Sequence, residues 1–320
     1  MKKADKTRLR VFLMLLAYVF LLCLLIFFIK FRSRNKKIIF GSTYMTMNNP
    51  YFNVLNENLR DTIEANGDIL ITRDPAQSQS RQNAQIIDML NEGIDILFAN
   101  AVDRSGIESA LYECKKRGVP VILLDTDVDD RVGVISTIQS DNYQAGVLLA
   151  NDLLKKKPEG AKILIVANLI ASSMVQRRQG FIDTIKNRPE YEIVDEIDGV
   201  SEIETVNEAM NEYLRSNSKE IDVIFGMNDP TAIGALAALK EKRDTNLLIY
   251  GVDGSPDAKK LIKQGLFTAT VAQHPISMGK EAARTAYDYL NKKNIESDIY
   301  IGVDLINAGN ITKFDISKWQ

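Results

Sequence analysis

Polar and aromatic side chains recur directly after the apolar runs of this sequence, and these are the residues with the most chemistry to offer. The first group follows Ile38–Gly41, in the stretch MNNPYF at residues 47–52. The later ones carry amides, carboxylates, a hydroxyl and a guanidinium: Asn100, Asp125, Thr126, Arg177, Asn228, Asp253 and Gln273. This mixture suits a polyhydroxylated ligand. Carboxylates accept from a hydroxyl, arginine donates to it and amides do both.

The stretch MNNPYF supplies two kinds of contact to such a ligand. Asn49 offers an amide for hydroxyl groups, Tyr51 and Phe52 offer ring faces for an apolar C–H surface, and Pro50 stiffens the turn. Each residue also has a structural interpretation. Asn or Asp at a helix start is most often a cap, an aromatic ring is more often core, and Arg177 alone would be a solvated helix residue. The functional interpretation depends on these residues meeting at one edge.

Residues typical of other chemistries are missing from this set. The one histidine, His274, is adjacent to Gln273, and no Walker loop, GxSxG, HExxH or Gly-rich dinucleotide turn occurs. The stretch DTDVDDRVG at 125–133 resembles a calcium loop, but Asp130 and Ser136 stand where an EF-hand needs Gly and Glu. We therefore predict a binding protein with no catalytic residue, metal or cofactor. A glycosidase-like pairing of Asp125 and Asp253 is the enzyme alternative.

Apolar runs of four to six residues indicate the strands that position these side chains. They occupy 38–41, 69–72, 94–99, 119–124, 163–166, 223–226 and 247–251. Segments with helical periodicity separate most of them, including 52–65, 80–91, 105–117 and 142–156. This alternation predicts an α/β fold with parallel sheets. Ligands of such sheets bind beyond the carboxyl ends of the strands, where the polar residues stand. A chain of this length predicts two lobes.

The composition, the net charge and the cysteine content exclude several classes of protein. The chain is 45% hydrophobic and 26% charged with a net charge of -2, so nothing points to nucleic acid. Its two cysteines, Cys23 and Cys114, form neither a disulfide framework nor a metal spacing.

The uncharged 19-residue run Val11–Ile29 predicts one transmembrane helix. It is longer than the apolar core of a signal peptide, and Phe20–Leu22 before Cys23 argue against a lipoprotein. Residues 1–37 would be an anchor with a basic tether at 30–37. Five basic residues flank each side of the run, so the positive-inside rule does not decide its orientation. We expect a single-pass protein of the cell membrane whose binding domain is extracytoplasmic.

Residues 38 to about 313 resemble the ribose-type sugar-binding subfamily of the type I periplasmic binding proteins. The matching segments keep the family's order and spacing: MNNPYF, ILFANAVD, GVPVILLD, SDNYQAG, RRQGF, IFGMNDPTAIGALAALK, YGVDGSPDAKK and FTATVAQ. The resemblance implies two Rossmann-like lobes that close around one ligand. Three crossings, near Ser140, Gln273 and about residue 303, would join them. The N-terminal lobe would comprise 38–140 and about 274–302, and the C-terminal lobe 141–273 and about 303–320.

The resemblance also implies the sugar contacts and the partners. The family's contacts fall on Asn49, Tyr51, Phe52, Asn100, Asp125, Arg177, Asn228, Asp253 and Gln273. The sequence departs from the ribose pattern at Met45, where the family has a small hydroxyl residue. It departs again at Thr126, where the family has an arginine, and near Val200 and Ser201, where the family has an aromatic. These departures favour another pentose such as xylose over ribose, with a hexose next.

The predicted anchor is similar to that of membrane-bound sugar-sensing members, which work with a sensor histidine kinase. The alternative is the substrate-binding subunit of an ABC sugar importer, which would share the fold and the ligand and differ in its permease partner. A repressor-class regulator would need a helix-turn-helix module, where residues 1–37 hold an apolar run instead.

Overall fold

The computed structural model describes most of the chain in two units. The described residues are 13–22, 24, 37–198, 202–239 and 246–320. The units are residues 1–38 and residues 39–320.

The first unit contains part of the predicted membrane segment. Residues 13–22 and residue 24 are helical. Within the part of the chain that the structure describes, no helix has both the length and the apolar character needed to cross a bilayer. The predicted segment Val11–Ile29 also includes residues 11–12, 23 and 25–29, which lie outside the described residues, as does most of the basic tether.

The second unit contains two sheets, which define its two lobes. The N-lobe sheet consists of β1 (Ile39–Thr43), β2 (Ile69–Arg73), β3 (Ile96–Ala99), β4 (Val121–Leu124), β5 (Val134–Ser140) and β11 (Asp298–Ile301). Its order is β2-β1-β3-β4-β5-β11 and its pairs are parallel. The strand order reverses beside β1, and in open parallel sheets this switch point is where ligands bind.

The C-lobe sheet repeats this arrangement. It consists of β6 (Ala161–Val166), β7 (Tyr191–Ile197), β8 (Val223–Gly226), β9 (Leu248–Asp253), β10 (Ala269–Ala272) and β12 (Asp304–Asn307). Its order is β7-β6-β8-β9-β10-β12. The chain passes between the sheets after β5, after β10 and between β11 and β12. The predicted α/β architecture of two lobes with parallel sheets is confirmed.

One strand pair differs from the predicted parallel arrangement. The edge strand β12 runs antiparallel to β10. The reason is the short link of two residues, Gly302 and Val303, from β11. The parallel strands of both lobes run toward the cleft between the lobes, so a chain that leaves β11 at the cleft must enter the C-lobe running away from it.

Helices connect the strands and cover the sheets. They are α1 (Pro50–Ala65), α2 (Gln79–Glu92), α3 (Glu108–Arg117), α4 (Asn142–Lys156), α5 (Ser172–Ile185), α6 (Ile203–Ser216), α7 (Asp229–Leu239), α8 (Pro256–Lys263) and α9 (Pro275–Leu290). A short 3-10 helix, Ile311–Lys313, follows β12. Local signals set the helix ends. The Asn49 side chain accepts from the Tyr51 N–H with Pro50 at the first position of α1, and Gly93 ends α2 in the left-handed conformation.

The C-lobe core shows why the strands are continuously apolar. Along β6, Ile163 and Ile165 pack into one hydrophobic cluster, while Leu164 and Val166 pack into the other. Successive residues of a strand point to opposite faces, so both faces of this sheet are covered. The four residues of β8 are buried for the same reason.

Candidate functional site

A buried polar cluster lies where the two lobes meet. Five of the predicted residues compose it, and we call them the cleft cluster: Tyr51, Asp125, Arg177, Asp253 and Gln273. Each is at most 5% exposed. The Tyr51 hydroxyl donates to Gln273 Oε1 (3.4 Å), and Gln273 Nε2 donates to Asp253 Oδ1 (2.8 Å). The cluster therefore joins the first helix of the N-lobe to the ends of two C-lobe strands.

Burial and neighbouring charge control the ionisation of the cluster. Burial raises the pKa of Asp125, and the Arg177 guanidinium opposes the rise. Burial also raises the pKa of Asp253 well above its ordinary value, and Asp229 adds to the rise. Asp229 is itself buried, and its carboxylate accepts from Ser255 N (2.8 Å) and Thr270 Oγ1 (2.7 Å). Burial penalises the charged form of these carboxylates, and hydroxyl groups that donate to them would stabilise that form.

Two polar atoms, one on a member of the cluster and one on a residue that contacts it, are buried without a hydrogen-bond partner among the described residues. They are Asp125 Oδ1, an acceptor, and Asn142 Nδ2, a donor. Buried polar atoms almost always have a partner. A hydroxyl group can serve either atom, because it both donates and accepts.

Two crossed helices hold Arg177 in place. Its Nε donates to Asn142 Oδ1 (2.9 Å) and its NH1 donates to the Met227 carbonyl oxygen (2.7 Å). The helices α4 and α5 approach so closely that a Cβ on Gly146 would lie 2.0 Å from the Arg177 carbonyl oxygen. The sequence predicts Arg177 at the start of its helix. It lies in the second turn instead, because α5 already begins at Ser172.

Strained backbone accompanies the site. Asp125 has a φ of 66° and Asp253 a φ of 145°, in the region that favours glycine. Ala76 (44°) and Gln77 (59°), at the mouth of the cleft, share this feature. Such conformations cost on the order of 1–3 kcal/mol each and cluster at ligand sites. The two carboxylates are thus held where local backbone preference alone would not place them.

Three predicted amides are engaged in local structure. Asn100 accepts from Met45 N (3.0 Å) and donates to the Leu124 carbonyl oxygen (3.1 Å), so it ties β1 to β4. Asn228 Oδ1 accepts from Thr231 N (2.8 Å) and caps α7. The sequence predicts Asp229 as that cap. Asp229 is the first helical residue instead, because Asn228 supplies the capping oxygen. Asn49 caps α1 in the same way.

The remaining predicted residues, Thr126 and Phe52, lie at the lobe contact and in the N-lobe core. Thr126 is 1% exposed, and its hydroxyl lies 2.8 Å from the Ser172 hydroxyl of the C-lobe. Phe52 packs its ring against Tyr44, with centroids 5.6 Å apart. Met45, the departure noted above, belongs to the N-lobe strand end yet packs against a C-lobe hydrophobic cluster.

Two cavities are lined by residues of both lobes, and none of the five residues of the cleft cluster lines either one. The smaller, of about 210 Å³, is lined by Met45, Asn49, Met174, Asn228 and Pro230 among others. It is below the roughly 300–1,000 Å³ of drug-sized sites, which suits a small ligand. The larger, of about 640 Å³, forms the mouth of the cleft beside Gln77 and Glu202. Among the described residues, no group of His, Cys, Asp and Glu side chains is arranged to hold a metal ion.

Comparison with known proteins identifies the family. A family model described as a periplasmic binding protein domain matches residues 40–294. The chain belongs to the periplasmic binding protein domain family. Its two sheets, its three crossings and the cleft between its lobes are therefore those of a periplasmic binding protein domain.

Individual relatives agree over most of the chain. The ribose import binding protein of Bacillus subtilis is 29% identical over 269 residues, which cover 83% of this chain and 87% of the relative. The galactofuranose-binding protein of Escherichia coli is 30% identical over 239 residues, which cover 72% and 73%. The fructose-binding periplasmic domain of a hybrid two-component system has a TM-score of 0.80 at 22% identity. It covers 86% of this chain and 92% of that domain, a likeness of fold.

Sequence reasoning missed four residues of this periplasmic binding protein domain that support the site. Asn142 holds Arg177, Ser172 contacts Thr126, Lys259 is fully buried, and Trp319 packs its ring on Tyr51 with centroids 5.8 Å apart. Asn142 follows a strand end in the stretch SDN, a signal that could have found it. The other three stand outside the strand-end positions. The predicted departure near Val200 and Ser201 lies outside the described residues.

Proposed function

We propose that this chain is a membrane-anchored sugar receptor. It closes around a monosaccharide, a pentose such as xylose or ribose, and signals to a sensor histidine kinase. The observation that carries the proposal is the cleft cluster. Carboxylates with raised pKa, a guanidinium and an amide converge from both lobes, beside an acceptor and a donor that lack partners.

The relatives support a sugar as the ligand. Those compared above are named for binding ribose, galactofuranose and fructose. The cluster offers the acceptors and donors that sugar hydroxyls need, and the ring of Tyr51 offers an apolar surface. The described site contains no arrangement that requires bond making, so binding and closure are the whole activity that we propose.

The partner is the part of the proposal with two candidates. The predicted anchor at Val11–Ile29 favours a sensor histidine kinase. A tethered receptor is held at high effective concentration beside a membrane partner, and one structural neighbour belongs to a two-component system. The curated relatives named for import favour the second candidate, the substrate-binding subunit of an ABC importer. In both cases the binding domain lies outside the cytoplasm.

Thermal shift and calorimetry of the full chain against pentoses, hexoses and small polyols test the ligand. A sugar at about 100 times its dissociation constant stabilises by roughly 2.7 kcal/mol, a shift of at least a few degrees. One clear hit among the pentoses is expected. No shift with any member of the panel would overturn the proposed ligand class.

Affinity capture from native membranes, with and without the sugar, tests the partner. Enrichment of a sensor histidine kinase supports signalling, and enrichment of a permease supports import. Comparing the full chain with a chain that starts at Ile38 tests the anchor. The full chain should sediment with membranes and the shorter one should not. Equal sedimentation would overturn the tether.

A further inference from the structure

The segment of residues 314–320, which we call the clasp, is fastened to the C-lobe by a buried lysine. Lys259 on α8 is 0% exposed. Its ammonium donates to the carbonyl oxygens of Asp315 (2.8 Å) and Lys318. The orientation of the Gln320 amide that satisfies both its oxygen and its nitrogen directs the oxygen at the same ammonium, where it accepts from Nζ (2.5 Å). All three N–H donors of one lysine are therefore given to one seven-residue segment.

The clasp lies directly behind the cleft cluster. In the same orientation, the Gln320 amide nitrogen donates to the Gly254 carbonyl oxygen (3.2 Å). Gly254 follows Asp253 and has a φ of 70°, and a Cβ there would come within 2.6 Å of Ala272 Cβ. The backbone that carries the Asp253 carboxylate is thus packed between β10 and the clasp.

The clasp also reaches the other lobe. The Trp319 ring meets the Tyr51 ring edge to face, with centroids 5.8 Å apart and planes at 66°. Tyr51 belongs to α1 of the N-lobe, and its hydroxyl donates to Gln273. One short segment therefore connects a C-lobe lysine to an aromatic residue of the cleft cluster. Lysine is almost never fully buried unless its ammonium has hydrogen-bond acceptors.

We propose that the clasp positions Tyr51 in the cleft, so that sugar affinity depends on Lys259 and Trp319. This inference rests on the proposed function of the cleft cluster. Trp319 acts as a positioning residue: its ring fixes the plane of the Tyr51 ring, and Lys259 fixes the segment that carries Trp319. An aromatic pair of this geometry is worth about 0.5–1.5 kcal/mol, a factor of about 2 to 12 in affinity.

Fluorescence of the full chain supplies the first test, because Trp319 is the sole tryptophan. Titration with D-xylose and with D-ribose should change the emission of the wild type. Trp319→Leu should weaken binding about threefold to tenfold by calorimetry, and Trp319→Phe should restore most of the affinity. Exposed Lys313→Ala, just before the clasp, is the control and should bind like the wild type.

A double-mutant cycle separates positioning from general destabilisation. In a Tyr51→Leu background, Trp319→Leu should cause no further loss, because the ring that it orients is gone. A loss of equal size in both backgrounds would show that Trp319 acts only through stability and would overturn the inference.

A pair of adjacent lysines tests the fastening. Lys259→Met should weaken sugar binding and speed hydrogen exchange in residues 314–320. Exposed Lys260→Met on the same helix should do neither. Suppose that the wild type binds sugar, and that Trp319→Leu and Lys259→Met bind it as tightly as the wild type does. The proposed role of the clasp is then overturned, while the proposed function stands. If the wild type binds none of the sugars, the proposed function fails and the clasp fails with it.

Discussion

The Arg177 guanidinium faces the buried carboxyl groups of Asp125, Asp229 and Asp253 and lowers the pKa of each. Burial raises the pKa of the same three groups more strongly, so the unliganded cluster holds protons above pH 3.8, the ordinary pKa of aspartate. Tyr51 is the other titratable group of the cluster, and burial raises its pKa well above 10.0, so it stays neutral.

Sugar binding is expected to release protons. Hydroxyl groups that donate to the carboxylates stabilise the charged form and lower its pKa in the complex. The complex then binds fewer protons than the free protein, so affinity rises with pH through the window between the lower pKa of the complex and the raised pKa of the free protein. Calorimetry at one pH in buffers of different ionisation enthalpy measures the release. Identical heats in every buffer would contradict this expectation.

Two aspartates at N-lobe strand ends should respond differently to truncation. Asp125→Ala removes a buried acceptor of the cleft cluster and should cost roughly 1.5–3 kcal/mol, about 10- to 150-fold in affinity. Asp103 accepts from Ser105 N (2.9 Å) and Gly106 N (3.1 Å) within its own turn, so Asp103→Ala should be mild. Calorimetry of both variants checks the pair. An Asp103→Ala loss as large as that of Asp125→Ala would place Asp103 in the site.

At the scale of elements, the crossing of α4 and α5 is what places Arg177. A Cβ on Gly146 would meet the Arg177 carbonyl oxygen at 2.0 Å, and one on Gly180 would meet the Tyr143 carbonyl oxygen at 2.0 Å. Both close approaches are to backbone, which cannot move aside as a flexible side chain can. The helices would have to separate, and Asn142 and Arg177 would shift with them.

Gly146→Ala should therefore lower both stability and sugar affinity. We expect a loss of about 1–3 kcal/mol in the free energy of unfolding, the usual cost of overpacking. Denaturant titration and calorimetry measure the two effects. Gln144→Ala, at an exposed position of the same helix, is the matched control. A Gly146→Ala protein as stable as this control would show that the crossing tolerates a methyl group.

The elements differ in how well the sequence predicts them. Most strands buried on both faces stand out as apolar runs. β5, β7, β11 and β12 were missed, because their sequences, VISTIQS, YEIVDEI, DIYI and DLIN, mix polar and apolar residues. β7 is a half-buried edge strand, while β5 buries polar residues such as Gln139 near the lobe crossing.

The strand-end rule brought the cleft cluster together, but it could not separate its members from Asn100 and Asn228. An amide that ties or caps backbone occupies the same sequence position as one that faces the cleft. The hydrogen-bond partners identify Asn100 as a backbone tie, whereas Asn228 both caps α7 and lines the smaller cavity.

At the scale of the whole second unit, closure of the lobes is the property that a signal would use. Besides the contacts of Tyr51 with Gln273 and Trp319, two further sets of contacts join the lobes around the cleft. Gln77 donates to Glu202 at the mouth. Deeper in, the Ser172 hydroxyl accepts from Asp127 N (2.7 Å) and lies 2.8 Å from the Thr126 hydroxyl. A ligand shifts the equilibrium between open and closed lobes only by its differential affinity for the closed state. Contacts that stabilise the closed state therefore set the sugar concentration at which the lobes close.

Ser172→Ala should weaken sugar binding without touching the cleft cluster. Ser172 is half-buried at the start of α5, and its hydroxyl bonds to the opposite lobe. Losing these bonds destabilises the closed state by about 0.5–1.5 kcal/mol each. The fraction of the protein in the closed, sugar-binding state falls by the corresponding factor. The loss should appear as faster dissociation in stopped-flow measurements, while the melting temperature of the unliganded protein changes little.

Ser80→Ala controls for the loss of a serine hydroxyl, because Ser80 is exposed on α2 of the N-lobe and hydrogen-bonds only locally, to Ser78. It should leave affinity and both rates unchanged. If Ser172→Ala also dissociates at the wild-type rate, the contact between Thr126, Asp127 and Ser172 contributes nothing to closure. The hydroxyl of Thr126 would then be available to the sugar, as the family's arginine is at that position.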